Sequence, residues 1–165
     1  MGNYYLYQLA IGLTRSLPLK LSYAVAIFLS DIQCLLSKDD RKAVESNLKH
    51  ITGLKTIPFN QIREVFHHFG KYLVDFFTLT KRSQQDLLKN YIHVEGTENL
   101  NRVIKEGKGG ILMSAHIGHW ELAGAVVSML GYPLSVVALS HRDERVNKFF
   151  NAQREFFGAK VIQIG

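Results

Sequence analysis

The second half of the chain alternates short apolar runs with helical stretches, and this alternation limits the fold more than any other feature. The pattern predicts strands at Tyr91–Val94, Gly110–Ala115, Leu134–Leu139 and Lys160–Ile164, with helices at Glu98–Glu106, Gly118–Leu130 and Asp143–Phe157 between them. Repeated strand–helix units favour right-handed crossovers and a mainly parallel sheet with helices on both faces. The sequence therefore predicts an α/β fold, and functional residues in such folds gather at the carboxyl ends of the strands.

A long amphipathic helix is predicted upstream of this region, from Pro58 to Leu79. Its apolar residues recur at spacings of three and four, which is the period of one helix face. They are Phe59, Ile62, Val65, Phe66, Phe69, Leu73, Phe76 and Phe77. A shorter helix is predicted between Lys38 and His50, before a turn at Gly53.

The first 36 residues are unusually apolar. Met1–Thr14 and Leu21–Ser30 carry no charge, and Arg15, Pro18 and Lys20 interrupt the two runs. Each run is shorter than the roughly 20 residues of a spanning helix, and no basic region precedes them as in a signal peptide. We predict two short helices in a membrane interface, with a pair of core helices as the alternative. The predicted division is a membrane-associated helical segment at 1–36 and an α/β region at 37–165.

The composition limits the classes of protein and partner. The chain has 165 residues, 47% of them hydrophobic, which suits one folded domain and excludes a disordered chain. Its net charge of +6 suits an anionic partner such as nucleic acid, phospholipid headgroups or an acidic carrier protein. The single cysteine, Cys34, excludes an internal disulfide and a cysteine-based zinc site.

Two ionisable residues follow the second predicted strand. His116 comes directly after Ser114 and Ala115, and Glu121 falls in the first turns of the next predicted helix. The helix dipole favours a carboxylate there, and the carboxylate could fold back onto the imidazole. Glu121 would then fix the tautomer of His116 and leave its other nitrogen free as a base.

Three other interpretations remain open from the residues alone. A serine hydrolase would use Ser114 with His116, but the chain has no G-x-S-x-G turn. A zinc site would use His116, His119 and Glu121, although no further ligand is evident. A purely structural role would have the His–Glu pair cap the helix.

The stretch at residues 107–124, GKGGILMSAHIGHWELAG, resembles the H-x4-D/E motif block of the lysophospholipid acyltransferase superfamily. It is most similar to the branch of bacterial lipid A biosynthesis (lauroyl and myristoyl) acyltransferases. The similarity extends along nearly the whole chain, through RSLPLKL, RKAVESNLKHI, FHHFGKYLVDFFTL, YIHVEGTENL and SHRDERVNKFFNAQREFFGAKVI. An H-x4-E string alone is a weak signal, but the preceding glycine–apolar run and the H-x-G-x-W-E context make it specific.

The resemblance implies transfer of a fatty acyl group to a hydroxyl of a membrane glycolipid, such as a lipid A precursor. The donor would be acyl carrier protein or acyl-CoA, and the place the cytoplasmic face of the bacterial inner membrane. In these terms His116 is the general base, Glu121 its partner and Arg154 a substrate-binding residue. The resemblance implies no metal, no cofactor and no nucleic-acid partner.

Two departures from the family pattern affect what we expect. His119 stands where the family usually has Asn, and we expect it to be a harmless variant beside the site. Family members are roughly twice as long, so we expect this chain to be incomplete at its C-terminus. The alternatives are a CoA-dependent phospholipid or mannolipid acyltransferase, and a truncated, inactive membrane-surface binding module.

Overall fold

The computed structural model describes residues 2–165, with side chains from Tyr4 onwards. The elements in chain order are α1 (Gly2–Ser16), α2 (Leu19–Leu36), α3 (Lys38–Thr52), α4 (Phe59–Thr78), a short 3₁₀ helix (Leu79–Lys81), α5 (Gln84–Asn90), α6 (Thr97–Lys105), α7 (Trp120–Met129), β1 (Ser135–Leu139), α8 (Glu144–Glu155) and β2 (Lys160–Ile164). The contacts divide the chain into two compact units, Gln8–Thr78 and Met1–Tyr7 with Leu79–Gly165. We call these the helical unit and the α/β unit.

In the helical unit, α2 packs along α4. The helix α4 itself confirms the predicted long amphipathic helix. Gly70 of α4 lies at the closest approach of these two helices. A Cβ built on Gly70 would come 2.3 Å from Ser30 Oγ and 3.1 Å from the carbonyl oxygen of Ala26. A methyl group at this position would overlap the Ser30 hydroxyl and crowd the Ala26 carbonyl, so glycine favours this close approach.

A second contact between α2 and α4 is ionic. Arg63 donates from Nε and Nη2 to the two carboxylate oxygens of Asp31 at 2.6 and 2.7 Å, and His67 Nε2 lies 2.5 Å from Asp31 Oδ1. The hydrogen bond from Arg63, and then that from His67, holds the pKa of Asp31 well below its usual range. The pair is partly exposed, so solvent screening limits what it adds to stability.

The core of the helical unit also buries the only cysteine. Cys34 packs with Ile57, Ile62 and Phe66, and burial raises the pKa of its thiol. A buried, protonated thiol behaves as a small apolar group.

The α/β unit contains one parallel pair of strands, joined through α8. Val137 of β1 stands opposite Ile162 of β2, and Leu139 stands opposite Ile164. These four side chains lie on one face of the sheet and are exposed. The core lies elsewhere in the unit, in a cluster of Leu79, Leu87, Ala125, Val126, Met129 and Phe157.

The prediction of a larger parallel sheet is wrong in two of its four strands. The predicted strands Leu134–Leu139 and Lys160–Ile164 are confirmed as β1 and β2, but the segments 91–94 and 110–115 are irregular. Among the described residues no strand pairs with either segment, and an extended chain without a neighbouring strand does not form a ladder. Ile111 and Met113 are accordingly 94% and 90% exposed.

At the N-terminus the two predicted helices are present, but the second is longer than its uncharged run. α2 extends from Leu19 to Leu36 and includes Lys20 and Asp31. Its 18 residues are long and apolar enough to cross a membrane, and 17% of them are buried within the protein. The expectation that neither run reaches a spanning length is therefore wrong for α2. Core helices and signal sequences share this length and composition, so α2 is a candidate membrane span.

Candidate active site

The candidate site is built around the start of α7. His119 is the residue before the helix, and its Nδ1 accepts a hydrogen bond from the backbone N–H of Leu122 at 3.1 Å. A side chain that accepts from this first turn satisfies one of the free N–H groups of the helix end. His119 thus helps to fix where α7 begins, and with it the position of Glu121 in the first turn.

His116 lies in the loop that leads into α7. Its side chain is exposed, and its ring centroid is 4.7 Å from that of Trp120 with the planes inclined by 39°. Because residues 110–115 form no strand, the prediction that His116 stands at a strand end is wrong. The aromatic contact with Trp120 ties the imidazole to the helix that carries Glu121.

Glu121 is bound by Arg154 across 33 positions of sequence. Arg154 Nε lies 3.1 and 3.0 Å from Oε1 and Oε2, and Nη2 lies 2.6 Å from Oε1. The two side chains are only 10% and 15% exposed, so this is the least exposed ion pair that the described residues show. A two-pronged pair of this kind is strong and geometrically specific.

This pairing differs from the predicted one. Glu121 was expected to hold the ring of His116, but within the described chain no hydrogen bond joins these two side chains, and Glu121 binds Arg154 instead. A guanidinium offers several donors in a rigid fork, whereas an imidazole offers one. The structure thus brings His116, Glu121 and Arg154 to one region of the α/β unit. The carboxylate there binds the guanidinium and not the imidazole.

Arg154 itself is held by further contacts along α8. Its Nη1 lies 3.5 Å from Asn151 Oδ1, and its Cζ lies 5.9 Å from the centre of the Phe150 ring.

His141 belongs to the same cluster and was missed by the sequence analysis. It follows β1, its ring centroid is 4.5 Å from that of Phe150, and its backbone N–H donates to Asn147 Oδ1 at 3.2 Å. Burial lowers the pKa of His141, and the charge of Arg154 lowers it further. Its position just beyond the carboxyl end of β1 is the signal that could have identified it.

A metal site was one of the alternatives, and its three candidate residues are engaged differently. His119 Nδ1 accepts from the backbone and Glu121 binds Arg154, while His116 packs on Trp120. Among the residues that the structure describes, no group of three His, Cys, Asp or Glu side chains is arranged to hold a metal ion.

Fold and site together define an α/β protein with a candidate acid–base centre at the start of a helix. The family model for bacterial lipid A biosynthesis acyltransferases matches residues 1–165. The chain therefore belongs to this family, which confirms the resemblance. Membership implies acyltransferase activity, with an acyl donor and a lipid acceptor. A search of curated proteins finds no match.

Proposed function

We propose that the protein transfers a fatty acyl group from an acyl thioester to a hydroxyl of a membrane glycolipid such as a lipid A precursor. The observation that carries this proposal is the arrangement before α7. An exposed imidazole, that of His116, contacts the helix whose first turn presents the shielded pair of Glu121 and Arg154. The family match supports acyl transfer, and this arrangement supports the assignment of its residues.

In this proposal His116 is the general base. The acceptor hydroxyl has a pKa far above neutral, so it attacks a thioester slowly unless a base removes its proton as the new C–O bond forms. The proton passes to the imidazole, the acyl carbon bonds to the acceptor oxygen, and the thiolate leaves and takes up the proton. Such base catalysis contributes about 10²–10⁴-fold in rate.

Glu121 remains the proposed partner of His116, acting from within its pair with Arg154. A carboxylate has about four acceptor sites, and Arg154 makes three contacts, two of them to Oε1. Oε2 therefore keeps capacity for an imidazole N–H when substrate brings His116 closer. The negative charge of Glu121 would stabilise the imidazolium once the proton is taken.

Arg154 is the proposed substrate-binding residue. It holds the carboxylate of Glu121 in place, and its positive charge would attract anionic groups of a substrate. Its guanidinium lies within the same cluster as His141. A cation at this point suits the anionic groups of a carrier-bound donor or a phosphorylated acceptor. The net charge of +6 suits the same partners, and we favour acyl carrier protein over CoA as donor.

The proposed location is the cytoplasmic face of the bacterial inner membrane. Exposed apolar side chains extend along both N-terminal helices, with Leu6 and Leu9 on α1 and Phe28, Leu35 and Leu36 on α2. Exposed apolar side chains of this kind are typical of membrane contact. Whether α2 lies in the interface or crosses the bilayer, this surface supports an acceptor that stays in the membrane.

The test is an acyl-transfer assay with the full chain in vesicles. Acyl carrier protein and CoA donors of the same chain are offered with three acceptors: a lipid A precursor, a lysophospholipid and a mannolipid. We expect acylated lipid A precursor, formed faster with the carrier protein. Product formed only from the CoA donor, and only on the lysophospholipid or the mannolipid, would favour the alternative CoA-dependent acyltransferase. Vesicle and carrier binding without any turnover would favour a binding module and contradict the proposal.

A further inference from the structure

A cavity of about 160 Å³ lies among α1, α2 and α4 of the helical unit. Its wall is formed mainly by aliphatic and aromatic side chains. Val74 and Phe77 are buried at one part of the wall, whereas Leu13, Leu29 and Phe69 are exposed at another. The cavity therefore runs from an apolar rim at the surface to an apolar interior, and all its lining residues fall within Gln8–Thr78.

One hydroxyl in this wall is left without a partner. Ser22 is 3% exposed, and among the residues described its Oγ has no hydrogen-bond acceptor or donor. An unpaired buried hydroxyl is unfavourable, and such groups normally bond to protein, water or ligand. Besides Ser22, the polar side chains in this wall are those of Thr14, Ser30 and Gln33, and the rest of the wall is apolar. An occupant of the cavity must therefore fill apolar space and also accept a hydrogen bond from Ser22. An oxygen atom carried on an apolar ligand would meet both requirements.

We propose that this cavity binds one fatty acyl chain noncovalently, with an ester or carboxyl oxygen of the chain accepting a hydrogen bond from Ser22 Oγ. A dry cavity of 150 Å³ lined by Leu, Ile and Phe is known to bind benzene, so this one accommodates a segment of about six carbons. The chain is a resident lipid and not the acyl group being transferred, since the cavity shares no residue with the candidate active site.

The rim indicates how such a chain would enter. Leu29 at the rim follows Phe28 in α2. Leu21 lies about two turns before Leu29 and Leu36 about two turns after it, and all four side chains are exposed. Apolar surface therefore leads from the outside of α2 into the cavity. A hydrocarbon passes along such a surface at no desolvation cost, whereas a polar solute would lose its hydration.

The experiment uses photolabelling of the full chain. One probe is a palmitic acid analogue with a diazirine on the chain, added from solution. The other is phosphatidylcholine with the same acyl chain, in vesicles of phosphatidylcholine and phosphatidylglycerol. After irradiation, peptide mapping reports the fraction of label on residues 69–77. We expect saturable labelling there, competed by unlabelled palmitate or by lipid. Labelling by the free acid identifies fatty acid as the source, and labelling by the phospholipid alone identifies the bilayer.

Matched variants separate the cavity from the outer surface. Ala26→Leu fills the cavity, while Ala24→Leu makes the same change at an exposed position of α2. Leu13→Trp narrows the rim, while Leu9→Trp adds the same ring to an exposed position of α1. We expect the label on residues 69–77 to fall about tenfold in the first member of each pair and to persist in the second.

Two further variants complete the test. Ser22→Ala should weaken competition by palmitate severalfold, because the ligand oxygen loses its donor. His116→Ala should label like the unaltered chain, so failure of acyl transfer leaves this inference intact. Circular dichroism melting confirms that each variant is folded. Equal labelling in both members of the two pairs, or label confined to exposed residues, would overturn the proposal.

Discussion

At the scale of single residues, the site is organised by the pairing of Glu121 with Arg154. The sequence places Glu121 in the first turn of a helix and suggests a bond to His116. The structure instead gives the carboxylate an arginine from α8, and leaves the imidazole of His116 on the ring of Trp120. The imidazole of His116 is therefore exposed, whereas the carboxylate of Glu121 is shielded from solvent and paired with Arg154.

Removing His116 should abolish turnover without unfolding the protein. We expect His116→Ala to lower kcat by about 10²–10⁴-fold, because no other base takes the acceptor proton. The ring is exposed, so the free energy of unfolding should change by less than about 0.5 kcal/mol. Acyl-transfer rates and urea unfolding of the same preparation measure both. Near-normal turnover in this variant would assign the pair a structural role.

Glu121→Gln should have a smaller effect on turnover and a larger one on stability. The amide keeps an acceptor for Arg154 but leaves the shielded guanidinium without a counter-charge, which we expect to cost about 1–3 kcal/mol. Glu144→Gln is the matched control, since Glu144 begins α8 and makes only an exposed pair with Lys148. The same rate and unfolding measurements apply. A stability loss in Glu144→Gln equal to that in Glu121→Gln would contradict the argument.

His141 should make the unfolding free energy depend on pH. Burial and Arg154 lower its folded pKa, so below its unfolded value of about 6.5 the unfolded chain binds more protons than the folded one. Stability that is present above that value is therefore lost as the pH falls towards the folded pKa. Urea unfolding at pH 7.5 and 5.5 should show a smaller loss for His141→Gln than for the unaltered protein. An equal loss would mean that other groups cause the dependence.

At the scale of elements, helices were predicted well and strands only in part. The period of apolar residues in α4 is a local property, and the helix extends from Phe59 to Thr78 against a predicted Pro58–Leu79. A strand depends on a neighbour distant in sequence, and the segment 110–115 has none in the part of the chain described. Two elements, α5 and the 3₁₀ helix before it, were not predicted, because seven and three residues are too few to show a period.

The contact between α2 and α4 gives a prediction at this scale. Gly70→Ala should destabilise the helical unit by about 1–3 kcal/mol, because its Cβ would meet Ser30 Oγ and the backbone of Ala26. Gly12→Ala is the matched control, since a Cβ on Gly12 of α1 meets nothing within 4 Å. That change should be neutral or stabilising by up to about 1 kcal/mol. Thermal unfolding of both variants tests this, and equal effects would contradict the close approach.

At the scale of the whole molecule, the proposed membrane substrate rests on the exposed apolar surface and on the charge. The chain combines a net charge of +6 with N-terminal helices whose apolar side chains are largely exposed. Apolar contact provides membrane affinity and basic residues add attraction to anionic lipid. The predicted boundary at residue 36 and the interfacial position of the first helices stay predictions.

Membrane binding is tested by charges placed on α2. In the double variant Phe28→Glu with Leu36→Glu, the fraction of protein in the vesicle pellet should fall at least severalfold. Placing a carboxylate in lipid is unfavourable, so this face of α2 should no longer bind the membrane. Leu54→Glu is the control, at an exposed position between α3 and α4. Vesicle sedimentation measures the distribution. If the double variant stays in the pellet, the exposed face of α2 does not carry the binding.

By itself the sequence predicted most of the helices, the two strands that flank α8 and the family. It also proposed His116, Glu121 and Arg154 as site residues, and that assignment stays a prediction. Periodicity and motif spacing are local, so they can be read without a structure. Only the tertiary structure decided that Glu121 binds Arg154, that His141 lies near Arg154 and that residues 110–115 form no strand. Each of these depends on contacts between residues far apart in the chain. Such contacts form only after the helices have packed and brought the groups within reach of one another.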